Sequence, residues 1–259
     1  MKDIENVKQA RESMENTKQG FEESFQLGSY YNKQTKDDMH LERILECIQV
    51  EPGMRILDLG TGSGYLAFPF ARKYKQVEVV GLDIVEKALE KNQRKAEIEG
   101  INNLKFINYE GLDFPFESNT FDVVITRYAL HHFPAIKDTF CEISRVLKKD
   151  GIFFLSDPTP NDNDVYRFVD EYMQMKKDGH IKFYTQDEWR ELGIPVNLQY
   201  IDGFETSIRF PRKREESLEF EDILSRYSEE IIRDYNVEVT EDEIWITEKV
   251  NNLLFRKVK

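Results

Sequence analysis

Two carboxylates and three glycines carry the most chemistry in this chain. Asp58 lies in a short apolar run with Ile56, Leu57 and Leu59, and Gly60, Gly62 and Gly64 follow at every second position. Glycine suits such a loop because the backbone must turn tightly and approach a ligand with no side chain between them. A second apolar run, 77–82, delivers Asp83 nineteen positions after Gly64. That is the spacing at which the next strand of an α/β unit presents a carboxylate to a ribose diol. The pattern predicts a strand turning into a helix over a ribose-bearing ligand.

Spacing also narrows the ligand. A dinucleotide loop reads G-x-G-x-x-G and aims a helix N-terminus at a pyrophosphate. Here the loop reads D-x-G-x-G-x-G, with Tyr65 three positions after Gly62. An acid beside the loop repels a pyrophosphate and attracts an ammonium. S-adenosylmethionine, with an α-amino group at one end and a ribose-adenine at the other, suits both carboxylates and is the expected cofactor, with S-adenosylhomocysteine its product. A nicotinamide-dependent oxidoreductase is disfavoured by the same features, and a tight turn with no ligand is the plain alternative.

The fourth predicted strand ends in Arg127-Tyr128-Ala129-Leu130-His131-His132-Phe133, at the switch point of an open α/β sheet, where ligands bind. His131 and His132 have two readings. They are either a packed, hydrogen-bonded wall of the cofactor pocket or the source of a base that titrates near neutrality. Arg127 is placed to meet the cofactor's carboxylate, although a surface arginine at a strand end accounts for it equally well. Tyr30 and Tyr31, in an aromatic leader, could close over a sulfonium by cation–π attraction, and core packing explains them too.

At this point the chain resembles a known family. From about Met54 to Asp157 it is similar to the class I S-adenosylmethionine-dependent methyltransferases, in the group that includes quinone-biosynthesis C-methyltransferases. The resemblance rests on ILDLGTGSG, GLDIVEKAL, GLDFPFESNTFDVVITRYALHHF and EISRVLKKDGIFFLSD, in family order. It implies that Asp58 and Gly60, in the loop with Thr61, Gly62 and Gly64, lie under the methionyl end. It also implies that Asp83 holds the ribose and Ile84 packs on the adenine. The family's usual acid-alanine pair before FPF, which receives the adenine amino group, reads Glu110-Gly111 here. Lys149-Asp150-Gly151 replaces the usual proline-glycine-glycine turn, and Asp-Gly is itself good turn chemistry.

The elements that must position these residues alternate as a parallel sheet requires. Helical spacing is seen in the leader at Ile4, Val7, Met14, Phe21 and Phe25, and again at Met39, Leu41, Ile44, Leu45 and Ile48, ending at Pro52-Gly53. Strands are expected near 55–59, 77–82, 104–108, 121–126 and 151–156. Pro69 is expected to kink the helix after the glycine loop. Beyond Asp157, helices are expected at 165–177 and from the capping box Thr185–Glu188. Strands at 198–210 and 244–258 are expected to pair antiparallel, with one amphipathic helix at 213–234 between them. The prediction is α/β: a doubly wound, mostly parallel, seven-stranded Rossmann-like sheet with an N-terminal helical leader and an inserted helical cap. One domain covers the chain, with a leader or lid at 1–50, a cofactor core at 51–157 and a substrate cap with the closing strands at 158–259.

Composition sets the outer limits. The chain has 259 residues, 40% hydrophobic, enough for one α/β core with a modest appendage. Its formal net charge of −13 repels a phosphate backbone and an anionic membrane, which argues against nucleic-acid substrates. Arg209, Arg212, Lys213 and Arg214 are the candidate basic patch, read more simply as a solvated loop. Cys47 and Cys141 sit in helical patterns without a partner at motif spacing and are expected to be buried, reduced thiols. The N-terminus is too charged for a signal peptide and no apolar run approaches a membrane span, so a cytoplasmic location is expected. No metal site is expected: Asp157, Asp162 and Asp164 fit a polar loop better than a chelate. Isolated His40 and His180 fit packing or surface roles. The expected function is methyl transfer from S-adenosylmethionine to a small molecule. Binding without transfer, as in a cyclase or a regulatory binder on the same fold, is the main alternative.

Overall fold

The computed structural model describes residues 4–26, 37–176, 178–217 and 219–259. Two helices lead, α1 (Ile4–Gln26) and α2 (Asp38–Cys47). The first half of the sheet follows as β1 (Arg55–Leu59), α3 (Ala67–Lys73), β2 (Glu78–Asp83), α4 (Glu86–Ile98), β3 (Leu104–Asn108) and β4 (Phe121–Arg127). After it come α5 (Ile136–Val146), β5 (Leu147–Thr159), α6 (Phe168–Gln174), α7 (Gln186–Gly193) and β6 (Leu198–Lys213). The chain closes with α8 (Phe220–Arg226), α9 (Glu229–Asp234), the two-residue β7 (Glu238–Val239) and β8 (Glu243–Lys257).

The strands run in the order β3-β2-β1-β4-β5-β8-β6, with β7 paired to β8 off that path. β1 to β5 are mutually parallel, and β8 pairs antiparallel with β5 and β6. The doubly wound expectation holds, and β7 adds one short strand to the seven. Order reverses at β1, between β2 and β4, which puts the ends of β1 and β4 side by side where ligands bind in open α/β sheets. Apolar residues on both sides of each strand meet helices. Leu57, Val124 and Phe153 pack with Phe140 of α5 and Trp189 of α7. On the other face Ile56, Val79 and Ile125 pack with Ile44 of α2 and Phe70 of α3.

Several local expectations are corrected. The β6–β8 ladder continues to Lys213↔Glu243, well past Thr159↔Lys249 where β5 leaves off. This overhang carries a third apolar cluster, with Ile244 and Ile246 under Phe168, Tyr172 and Phe220. The single helix expected at 213–234 is two, broken at Tyr227, with Ser228 capping α9 by accepting from the Ile231 amide. The helix expected from 165 starts at Phe168, because Arg167 is left-handed at φ 66°. Pro69 falls in the first turn of α3, and the amides on either side of it keep their bonds, Phe68 to the Gly64 carbonyl and Phe70 to the Leu66 carbonyl, both at 3.1 Å. The capping box at Thr185 and Glu188 forms as expected. Among the described residues no helix is long and apolar enough to cross a membrane. Cys141 is exposed rather than buried, and burial pushes the Cys47 thiol up to about 11.

Candidate functional site

The glycine loop leaves β1 and crosses to α3 under a dense set of backbone bonds. The Gly60 and Thr61 amides both donate to the Leu82 carbonyl at the end of β2, at 2.8 and 3.1 Å. Gly60, Gly62 and Gly64 sit at φ 68°, 48° and 75°, where L-residues with side chains are strained. Their reasons differ. A Cβ on Gly60 would lie 2.5 Å from Ala129 Cβ of the neighbouring strand end, whereas one on Gly62 would meet nothing within 4 Å. Gly60 therefore packs against protein, and Gly62 keeps open space beside the loop.

The two acids divide in the same way. Asp58 is committed to the loop itself. It is 2% exposed and lies outside the cavity wall, and its Oδ2 accepts from Thr61 Oγ1 at 2.7 Å and from the Ala67 amide at 3.0 Å. Burial pushes its pKa up to about 7. Asp83 does reach the cavity. Its Oδ2 accepts from the Gly62 amide at 2.7 Å and its Oδ1 from the Val85 amide at 2.9 Å, which locks the carboxylate to both the loop and its own strand end.

The cavity has a volume of about 130 Å³. Gly60, Thr61, Gly62, Asp83 and Ile84 line it, together with Arg127 and His132. The Arg127 guanidinium lies 4.1 Å from the Tyr65 ring centre and 3.8 Å from that of Tyr128. Glu110 is exposed and stands off the wall. Gly111 is buried at φ 86°, and a Cβ there would collide with the Met14 side chain. It thus seats α1 rather than lining the cavity itself. Gly64 also stays behind the wall, against Phe68. Tyr30 and Tyr31 lie outside the described residues.

The tandem histidines part company. His131 turns inward, its Nδ1 2.6 Å from Asp157 Oδ1 while its amide donates to Asp157 Oδ2 at 3.0 Å. Burial lowers His131 and pushes Asp157 up to about 8, so this pair disfavours separated charge. His132 is the one at the cavity, edge-on to Phe21 of α1 with ring centres 5.0 Å apart. Neither of its ring nitrogens has a hydrogen-bond partner. Burial, and then the neighbouring His131, push its pKa down to about 3. Burial thus keeps the His132 imidazole neutral near pH 7. His180 is fixed by Asp170 at 2.9 Å, and His40 by Asn252 at 2.7 Å.

Sequence reasoning missed much of the α1 side. Met14, Thr17 and Phe21 of α1 line the cavity at i, i+3 and i+7, and that spacing was the available signal. Tyr109, whose buried hydroxyl has no partner, also lines it and carried no signal at all. The basic stretch dissolves. Arg212 is buried, donating to the Tyr172 carbonyl at 3.1 Å, while Arg209 and Arg214 pair with Glu238 and Glu221. Asp164 is committed to the Phe168 and Val169 amides and the Tyr235 hydroxyl, and Asp157 to His131.

Residues 50–199 match the model of a family described as a methyltransferase domain. The chain is 32% identical over 149 residues to the uncharacterized methyltransferase YcgJ of Bacillus subtilis, covering 57% of this chain and 58% of that protein. It is 36% identical over 115 residues to sterol 24-C-methyltransferase ERG6B of Gibberella zeae, covering 44% of this chain and 30% of that one. These matches span less than two thirds of either relative. A crystal structure of a methyltransferase described as putative, from Bacillus halodurans, superposes with a TM-score of 0.76 at 21% identity, over 85% of this chain and all of that one. At that identity the likeness concerns the fold.

Proposed function

The chain belongs to the methyltransferase-domain family, and from that premise we propose that it is an S-adenosylmethionine-dependent methyltransferase acting on a small-molecule acceptor. The observation that carries this reading is the meeting of the open Gly62 cradle, the Asp83 carboxylate and an unpartnered His132 on one cavity. The residues present fit the cofactor. Gly62 leaves room for close backbone approach, and the Tyr109 hydroxyl is a buried polar atom awaiting a partner.

In this reading Gly60, Thr61 and Gly62 form the seat, and Gly64 and Asp58 shape it from behind. Asp83 holds the ribose hydroxyls, Ile84 packs on the adenine and Arg127 meets the methionyl carboxylate. S-adenosylmethionine, when bound, supplies an electrophilic sulfonium methyl. The chain's own part is to orient the acceptor, exclude water under α1 and receive a proton where the acceptor carries one. His132 is the proposed base, because it alone of the clustered histidines faces the cavity, and His131 is its structural neighbour. Nucleic acid, a membrane and a metal ion have no place in this reading, and a cytoplasmic location goes with it.

Isothermal titration tests the proposal. Micromolar binding of S-adenosylmethionine and S-adenosylhomocysteine is expected, and binding of NAD(H) in their place would overturn it. Release of S-adenosylhomocysteine in a metabolite extract separates transfer from binding alone. Retention of bulk tRNA in a low-salt gel shift would refute the small-molecule assignment.

A further inference from the structure

Among the described residues that line the cavity, Asp83 and Arg127 are the two with formally charged side chains. Asp83 is locked by the Gly62 and Val85 amides. Arg127 is held by a different device. Its guanidinium carbon lies 4.1 Å from the ring centre of Tyr65 and 3.8 Å from that of Tyr128, and both rings line the same cavity. A guanidinium is planar and weakly hydrated, so aromatic faces hold it flat while its N–H edge stays available to a carboxylate.

Each ring is itself fixed. The Tyr65 hydroxyl donates to the Asp37 carbonyl at 2.6 Å and accepts from the Asp37 amide at 3.3 Å. Asp37 is the N-cap of α2, its side chain accepting from the His40 amide at 3.0 Å. Tyr128 is the chain neighbour of Arg127, and neighbours on an extended strand point to opposite faces. Here the alternation is broken. Tyr128 is left-handed at φ 55°, a conformation rare for a bulky side chain, and its amide donates to the Ser156 carbonyl of β5 at 2.8 Å. Leaving the extended conformation is what lets its ring meet the guanidinium of the preceding residue. The ring of His40, whose Nε2 lies 2.7 Å from Asn252 Oδ1 of β8, is 6.3 Å from that of Tyr128 between centres. The start of α2 therefore meets both rings, one through Asp37 and the other through His40.

We propose that Tyr65 and Tyr128 are positioning residues for Arg127: together they hold the plane of the guanidinium so that its N–H edge receives the carboxylate at the methionyl end of the cofactor. The inference rests on the role given to Arg127 in the proposed function. It adds that the amino-acid end is selected by a preset aromatic clasp. An arginine on a mobile stem loses rotamer freedom when it binds an anion, and one already held by two rings has less to lose.

The test uses the full chain and two probes in titration calorimetry. S-adenosylhomocysteine carries the carboxylate, and 5′-methylthioadenosine keeps the thioether and the adenosine without the amino-acid end. Tyr65→Leu and Tyr128→Leu should each weaken S-adenosylhomocysteine by about tenfold, within reach of a desolvated cation–π contact, and leave 5′-methylthioadenosine within about twofold of the wild type. Leucine at position 128 makes the same demand on the left-handed backbone, so that variant removes the ring without changing the strain. In an Arg127→Gln background neither ring replacement should weaken S-adenosylhomocysteine further, as a double-mutant cycle gives when groups act through one contact. Equal weakening of both probes would assign the tyrosines to packing and overturn the proposal, and so would unchanged affinity for both. Should the ring variants fail to fold, ¹⁵N-arginine spectra of the ligand-free wild type decide. Slow rotation about the Arg127 Nε–Cζ bond with ring-shifted resonances is expected, and a freely rotating, unshifted guanidinium refutes the clasp. A wild type that binds neither probe would sink the methyltransferase reading, while the same spectra would still measure the clasp.

Discussion

The glycine cradle and the histidine end of β4 line one cavity and are finished to different degrees. In the cradle the polar groups answer one another inside the chain: Asp58 takes Thr61 and Ala67, Asp83 takes Gly62 and Val85, and the Asn92 amide nitrogen donates to the Gly62 carbonyl at 2.8 Å. Two side chains lining the same cavity, His132 at the end of β4 and Tyr109 after β3, are buried with polar atoms that have no partner. Buried polar groups in folded proteins are overwhelmingly satisfied, so these two stand apart from the self-satisfied cradle.

The strongest way to break this comparison is inside the cradle. Gly60→Val places a Cβ against Ala129 at positive φ and should cost about 2–6 kcal/mol of stability, the sum of backbone strain and overpacking. Gly62→Val points into open space and should abolish S-adenosylhomocysteine binding with a clearly smaller stability loss. Urea melts and titration calorimetry on both variants check it. Equal destabilisation would mean the Gly62 space is no ligand seat.

Away from the cavity the sharper probe is pH. Burial raises Glu248, 1% exposed, to about 8 in the folded chain. A carboxyl with a raised folded pKa adds stability that is fully present below its unfolded pKa and is lost as pH rises through the folded one. Glu248→Gln removes this titration while keeping the shape. Between pH 5 and pH 8 the wild type should therefore lose a few kcal/mol relative to the variant, which paired denaturant melts would read. Parallel pH profiles would show that Glu248 is solvated or ion-paired.

Asp83 tests the seam between the two regions. Asp83→Asn keeps an acceptor near the loop but removes the charge, and should weaken S-adenosylhomocysteine binding by about 1.5–3 kcal/mol, the usual worth of hydrogen bonds to a charged group. Unchanged affinity by calorimetry would move the ribose contact elsewhere. The smallest effect is expected far from both walls. Thr185→Ala removes the capping box of α7 and should cost about 1 kcal/mol in a thermal melt without altering cofactor affinity.

The sequence made the cradle legible because its signals are local. Glycine at positive φ, an apolar run ending in an acid and a fixed distance to the next strand are properties of neighbouring residues, and they placed Gly60, Gly62 and Asp83 as found. The five parallel strands followed from the same kind of pattern. The cap was harder to read. One continuous amphipathic pattern at 213–234 hid a break at Tyr227, and polar alternation in β6 did not show that its ladder overhangs β5 and carries a separate apolar cluster.

Only the tertiary structure decided which way the acids and histidines turn. Asp58 and Asp83 look alike in sequence, yet one is drawn inward by Thr61 and Ala67 and the other is held at the cavity by Gly62. His131 and His132 are adjacent, and a carboxylate on β5, twenty-six residues away, claims the first and leaves the second to the cavity. A turn far downstream is seated on α1, where a Cβ on Gly179 would overlap the Thr17 side chain. Composition and spacing set which residue types reach the switch point. Burial and long-range hydrogen bonding, which depend on how distant segments pack, set which of them remain open to chemistry.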